Sequence, residues 1–157
     1  MTGRRIEPGT IYLGESDHPD HPGWREWKLT DPTRFNGAVL GLLLVRSDGG
    51  NHARMRMFPR HHHTNMLNVV HGGVVLSLID IAMFAGATVV TGKNFGYGLT
   101  VELTNHFVGS GDPTRPLDAA VEVVRETGRL VFTRGLVVQD DDTVSSFTGI
   151  IRKPTGQ

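Results

Sequence analysis

Between Val69 and Val90 the chain is almost entirely apolar, and from Val74 to Val90 Asp80 is its only ionisable residue. This run constrains the fold more than any other feature. It is long enough to cross a bilayer, but a carboxylate near the bilayer centre costs roughly 2.5 to 3.5 kcal/mol even on a lenient insertion scale. A buried helix in a soluble protein is therefore expected. VVLSLIDIAMFAGA exceeds an ordinary strand and has glycines at both ends, which predicts a helix of about five turns. A helix that is apolar on nearly every side must be covered all round, and a curved sheet wrapped about it is an economical cover.

The flanking sequence supplies that sheet. From Gly37 the run GAVLGLLLVRS, the Asp48-Gly49-Gly50 turn signal and HARMRMF predict a hairpin whose second strand alternates apolar with basic residues. After Gly98 the period becomes two, with Leu99, Val101, Leu103 and Phe107 on one face and Thr100, Glu102, Thr104 and His106 on the other. LDAAVEVVRE, RLVFTRGLVVQ and TVSSFTGIIRK follow, separated by Thr127-Gly128 and by Asp140-Asp141-Asp142. The predicted order is two strands, one helix and four strands, with connections too short for parallel crossovers after the helix. This is an α+β chain of the hotdog type, an antiparallel sheet wrapped around one long central helix. Residues 1–35, rich in Pro, Gly and His, are expected to be a lead-in with one short helix, and 36–154 a single domain. Trp24 and Trp27 are expected to anchor the lead-in by packing.

Composition narrows the partners. Sixteen acidic residues balance sixteen basic ones in 157 residues, and the basic residues are scattered, so nucleic acid is not an expected partner; with the apolar run read as a buried helix, a membrane is not one either. Without cysteine there is no disulfide framework and no thiolate nucleophile. The opening MTGRRIEPGT lacks the apolar core of a signal peptide, so a cytoplasmic location is expected. The tail IRKPTGQ is polar. His61-His62-His63 suggests a metal, but neighbours on an extended segment point to alternate sides, so no metal is expected.

Asp80 is the chemical clue. A carboxylate amid apolar residues is costly unless paired or hydrogen-bonded, and such acids are candidates for catalysis; an Asp held by an arginine or by loop amides is the structural alternative. Upstream, His71-Gly72-Gly73 opens the helix with backbone N–H groups that have no intrahelical acceptor. With the positive end of the helix dipole, they suit a carbonyl oxygen that turns negative during attack. Gly72 and Asp80 are eight residues apart, roughly 12 Å along a helix, so one chain cannot bring both to one carbonyl. If they share a substrate, the amide comes from one subunit and the carboxylate from another, with two antiparallel helices beside a two-fold axis.

These residues resemble the acyl-CoA thioesterases of the phenylacetate-pathway (PaaI-like) branch of the hotdog superfamily. The resemblance spans about Gly37 to Arg152: Asn65 six residues before His71-Gly72-Gly73, Asp80 nine after His71, then GLTVELTNHF and VVRETGRLVF. It implies that Asp80 is the general base or nucleophile and that the Gly72 N–H polarises the thioester carbonyl. Asn65 and His71 would position water, substrate or the loop itself, and Gly73 would contact substrate. Thr100 falls where relatives often carry Ser or Thr near the catalytic carboxylate, and on a polar strand face it reaches a site only if a partner covers that face. Arg125 and Arg129, beside the Gly128 turn, are candidates for coenzyme A phosphates. The implied protein is a homo-oligomer, a dimer or a dimer of dimers (homotetramer), acting on an acyl-CoA without a cofactor. A non-catalytic acyl-CoA sensor and a hotdog hydratase are the alternatives. The lead-in and the loop VGSGDPTRP can each reshape the acyl pocket.

Overall fold

The computed structural model describes residues 10–154, so the first nine residues and the end of the polar tail lie outside it. In chain order the elements are β1 (Ile11–Leu13), β2 (Arg25–Leu29), a π-type turn (Asn36–Leu40), β3 (Leu43–Gly49), β4 (His52–Met57), a 3-10 turn (His61–His63), α1 (Gly72–Thr91), β5 (Leu99–Phe107), β6 (Leu117–Glu126), β7 (Leu130–Gln139) and β8 (Asp142–Arg152). All strand pairs are antiparallel. They form one sheet in the order β1-β2-β3-β4-β6-β7-β8-β5, with β1 and β5 at its edges. This is the expected hotdog architecture.

Alternation decides which side of each strand is buried. In β4, Ala53, Met55 and Met57 are buried against α1 while Arg54 and Arg56 turn outward. From the helix, Val75, Leu78, Ile79, Ile81, Ala82, Met83, Ala85 and Ala87 enter the same core. His71 caps the helix N-terminus, and Gly92 ends it at φ 72°, the left-handed position that glycine occupies without a Cβ penalty. By length and composition alone α1 also suits a membrane span; here it packs on the sheet.

Two expectations need correction. Residues 11–29 form two strands that extend the sheet, where a lead-in with a short helix was expected. The helical turn falls at Asn36–Leu40, where the strand run from Gly37 was expected to begin. The lead-in is held from both faces. Trp27 joins the helix-side core, and on the other face the guanidinium groups of Arg46 and Arg56 lie over the Trp24 ring, 4.6 and 4.5 Å from its centroid. Arg56 also forms a two-pronged pair with Asp118 at 2.7 and 2.8 Å. Charge and aromatic stacking thus supply an order that hydrophobic periodicity did not signal.

Candidate active site

The sheet does not cover α1 all round, as its composition had suggested. Gly73 and Leu76 are exposed, and Ser77 and Asp80 half-buried. Spaced three and four apart, these residues line one stripe of the helix. Asp80 sits in that stripe, and Thr100 Oγ1 donates a 2.5 Å hydrogen bond to its Oδ1. No ion pair engages Asp80 among the described residues. The carboxylate is therefore not consumed by a cation.

Thr100 reaches Asp80 within one chain, contrary to the expectation that a partner must cover its face. Opposite β8, Thr100 pairs with Ile151 and Glu102 with Ile150, so Val101 is an extra residue. That bulge reverses the alternation, placing Thr100 on the helix side with Leu103 and leaving Val101 exposed. Two clefts meet at Asp80. The wider, about 390 Å³, is lined by Phe35, Asn36, Leu76, Ser77, Ile81, Thr100 and Leu103 besides Asp80. The smaller, about 140 Å³, runs between Asp80 and the lead-in, walled by Ile11, Trp27, Ile81 and Phe84 with Asn36, Gly96 and Gly98.

The helix N-terminus forms a second cluster. The Gly73 N–H donates to His71 Nδ1 at 2.9 Å, while the Val74 and Val75 amides return to the His71 carbonyl. The Gly72 N–H has no acceptor among the described residues, so it is the one amide of the glycine pair open to a ligand. Close approach explains the glycines: a Cβ on Gly72 would lie 3.2 Å from the Phe107 ring, and one on Gly73 3.1 Å from His71 Nδ1. Asn65 orders the preceding loop, its Oδ1 accepting the amides of Leu67 and Val69 at 2.9 and 3.4 Å. With Asn68 at φ 56°, that loop carries Met66 and Leu67 into solvent, 100% and 81% exposed.

The structure therefore brings Asp80 together with Thr100, and Asn65 together with His71, Gly72 and Gly73, at two separate points of α1. Arg125 and Arg129 lie exposed beside the β6–β7 turn, and neither lines a cleft containing Asp80. His61, His62 and His63 form a turn, not the extended segment expected. His63 is buried, its Nδ1 accepting the Arg60 N–H at 2.9 Å and its Nε2 lying 2.6 Å from the Val39 carbonyl. That geometry fixes the proton on Nε2, and burial is the main cause holding the ring below the ordinary histidine pKa. Among the described residues no three potential ligands are placed to hold a metal ion. Asn36 and Phe84, which line the clefts, carried no pattern marking them for a site. Trp27, read as an anchor, also walls the smaller cleft.

A sheet wrapped on one helix defines a hotdog protein, here with a lone carboxylate on the open stripe and an amide free of acceptors among the described residues at the helix start. The thioesterase superfamily model matches residues 67–146, just over half of the chain, and the chain belongs to that superfamily. Among solved structures, Escherichia coli PaaI, from the phenylacetic acid degradation operon, superimposes with a TM-score of 0.67 at 20% identity, covering 82% of this chain and 88% of PaaI. Zebrafish thioesterase superfamily member 2 gives 0.64 at 16% identity, covering 75% and 86%. A Bacillus halodurans protein solved with CoA gives 0.56 at 30% identity, covering 69% and 70%. No curated protein sequence matches the chain.

Proposed function

We propose that the protein is an acyl-CoA thioesterase that works as a homo-oligomer, splitting an acyl thioester into a carboxylic acid and free coenzyme A. The observation that carries this reading is Asp80, half-buried on an apolar helix, bonded among the described residues to Thr100 alone and opening onto two clefts. Superfamily membership supports thioester chemistry, and the CoA-bound relative supports coenzyme A as the carrier.

In this mechanism the thioester carbon lies beside Asp80. The carboxylate either takes a proton from a water that attacks the carbon, or attacks it to form a mixed anhydride that water then cleaves. On either route the carbonyl oxygen becomes negative, and the Gly72 N–H of a second protomer stabilises it. The C–S bond breaks, and the coenzyme A thiolate leaves and takes up a proton. Thr100 orients the carboxylate. His71 holds the Gly73 amide and Asn65 shapes the loop, so the free Gly72 donor is fixed in direction. Arg125 and Arg129 are kept as candidate contacts for coenzyme A phosphates.

A second protomer is required because Gly72 and Asp80 are roughly 12 Å apart along one continuous helix. The surface favours one. Leu76 on the helix, Leu99, Val101 and Phe107 on the edge strand β5, and Met66 on the loop are all exposed. Asp80→Asn should retain the fold and lower kcat by at least about a hundredfold. Near-parental turnover across acetyl to decanoyl and aryl-acyl thioesters would exclude Asp80 from the chemistry. Tight acyl-CoA binding without hydrolysis by the parent protein would favour the sensor alternative.

A further inference from the structure

We propose that Phe84 is a specificity-determining residue, the end wall that limits the length of the acyl group held beside Asp80. The placement of the acyl group rests on the thioesterase reading, which puts the thioester carbon at Asp80. From that carbon the acyl group and coenzyme A must leave in different directions, and two clefts meet there. The wider one suits the longer pantetheine arm. The smaller one, about 140 Å³, compares in size with an engineered cavity that holds benzene, so it takes about six heavy atoms.

Phe84 follows Asp80 by four residues, one helical turn and roughly 6 Å along α1, on the same stripe. Two close approaches shut the smaller cleft at that end. The Phe84 ring crosses from the helix to the turn before β5, where a Cβ on Gly98 would lie 2.9 Å from its Cε1, and a Cβ on Gly96 would lie 3.1 Å from the Ile11 Cβ of the lead-in. Glycine at both positions lets the two side chains seat against the turn. One further turn along the helix, Thr88 borders a third cleft of about 360 Å³, with Leu13, Val89 and Gly92 in its walls. Trp27 borders this cleft as well as the one at Asp80, so the two are neighbours. Asp80, Phe84 and Thr88 succeed one another at one-turn spacing, so Phe84 stands on the stripe between the two clefts. Shortening Phe84 therefore extends the space at Asp80 toward Thr88 and admits a longer chain.

The test compares straight-chain acyl-CoA thioesters from butanoyl to dodecanoyl, with kcat/KM measured on the thioesters and Kd on thioether analogues that lack the scissile carbonyl. In the parent protein kcat/KM should stop rising near hexanoyl. In Phe84→Ala it should go on rising by up to about fourfold for each methylene newly buried, so the decanoyl-to-butanoyl ratio should exceed the parent's by at least about tenfold. Phe84→Leu, a milder truncation of a half-buried side chain, should move the optimum in the same direction by fewer carbons, and decides the matter if the alanine variant fails to fold. Phe35→Ala, which clears a wall of the wider cleft at a 55% exposed position, should change KM by the same factor at every chain length.

Hydrolysis with an unmoved optimum in both Phe84 variants, or by a parent protein that already prefers decanoyl-CoA, overturns the role of Phe84 and leaves the thioesterase reading standing. An optimum moved by Phe35→Ala instead puts the acyl group in the wider cleft and overturns that role too. A chain-length limit in thioether binding that Phe84→Ala lifts, with no thioester cleaved, supports Phe84 and refutes the hydrolase. Absence of both binding and cleavage overturns both.

Discussion

At the scale of single residues, the carboxylate of Asp80 has two unequal oxygens: Oδ1 accepts from Thr100, and Oδ2 has no partner among the described residues. A base needs such a division, one oxygen held and the other free to take a proton. Thr100→Val keeps the shape and removes the hydroxyl, so kcat should fall about three- to tenfold with KM little changed, the value of one net hydrogen bond. Thr100→Ser should restore turnover. A KM effect alone, or no rescue by serine, would assign Thr100 to packing. Asp80 and Gly72 were legible in the sequence because a lone charge in an apolar run and a glycine at a helix start are local signals. The contact from Thr100 was not, because one extra residue at Val101 changes which face every earlier residue of the strand presents. Trp27 and Asn36 reach the clefts only through tertiary packing.

Among the elements, the sheet imposes its own tight spots. A Cβ on Gly135 in β7 would lie 2.0 Å from the Ala120 carbonyl oxygen and 2.6 Å from the Phe147 ring. Since a backbone oxygen cannot step aside, Gly135→Ala should cost at least about 2 kcal/mol in chemical unfolding, at the level of core overpacking. A loss below 0.5 kcal/mol, on the order of a surface change, would contradict that geometry. The turn at His61–His63 predicts acid sensitivity. The buried His63 ring has its pKa lowered from 6.5, so below about 6.5 the unfolded chain binds a proton that the folded ring resists. Stability should then decline from about pH 6.5 downward until the folded-state pKa is reached, and this ring contributes no pH dependence above that window. His63→Gln should flatten the slope between pH 7 and 5.5, and an unchanged slope would exclude the ring as its source. The helix and the strands β4 to β8 were legible because their periods are strong and their turns carry Gly or Asp. The strands of the lead-in were not: β1 has three residues and β2 five, and Trp24 is held by arginines from other strands rather than by its own neighbours.

For the whole molecule, the open stripe of α1 and the edge of β5, which no other strand among the described residues pairs, are two consequences of one arrangement. The sheet runs out at β5 before the helix is covered, and Leu99, Val101, Phe107 and Val108 remain exposed there. In the proposed homo-oligomer a second copy related by a two-fold axis would cover both and set the amide of one helix against the carboxylate of the other. Subunit mixing tests this most directly. Gly72→Pro, made in a Phe107→Leu background because a Cβ at Gly72 would lie 3.2 Å from the Phe107 ring, removes the N–H at the first helical position, where proline is tolerated and where His71 is already extended. That variant and Asp80→Asn should each be nearly inactive as pure proteins. After equal amounts are unfolded and refolded together, half of the dimers are mixed and each holds one intact site, so activity should return to about a quarter of the parental value. Mixed dimers that form yet stay as inactive as their parents would show that the carboxylate and the amide do not work across two chains.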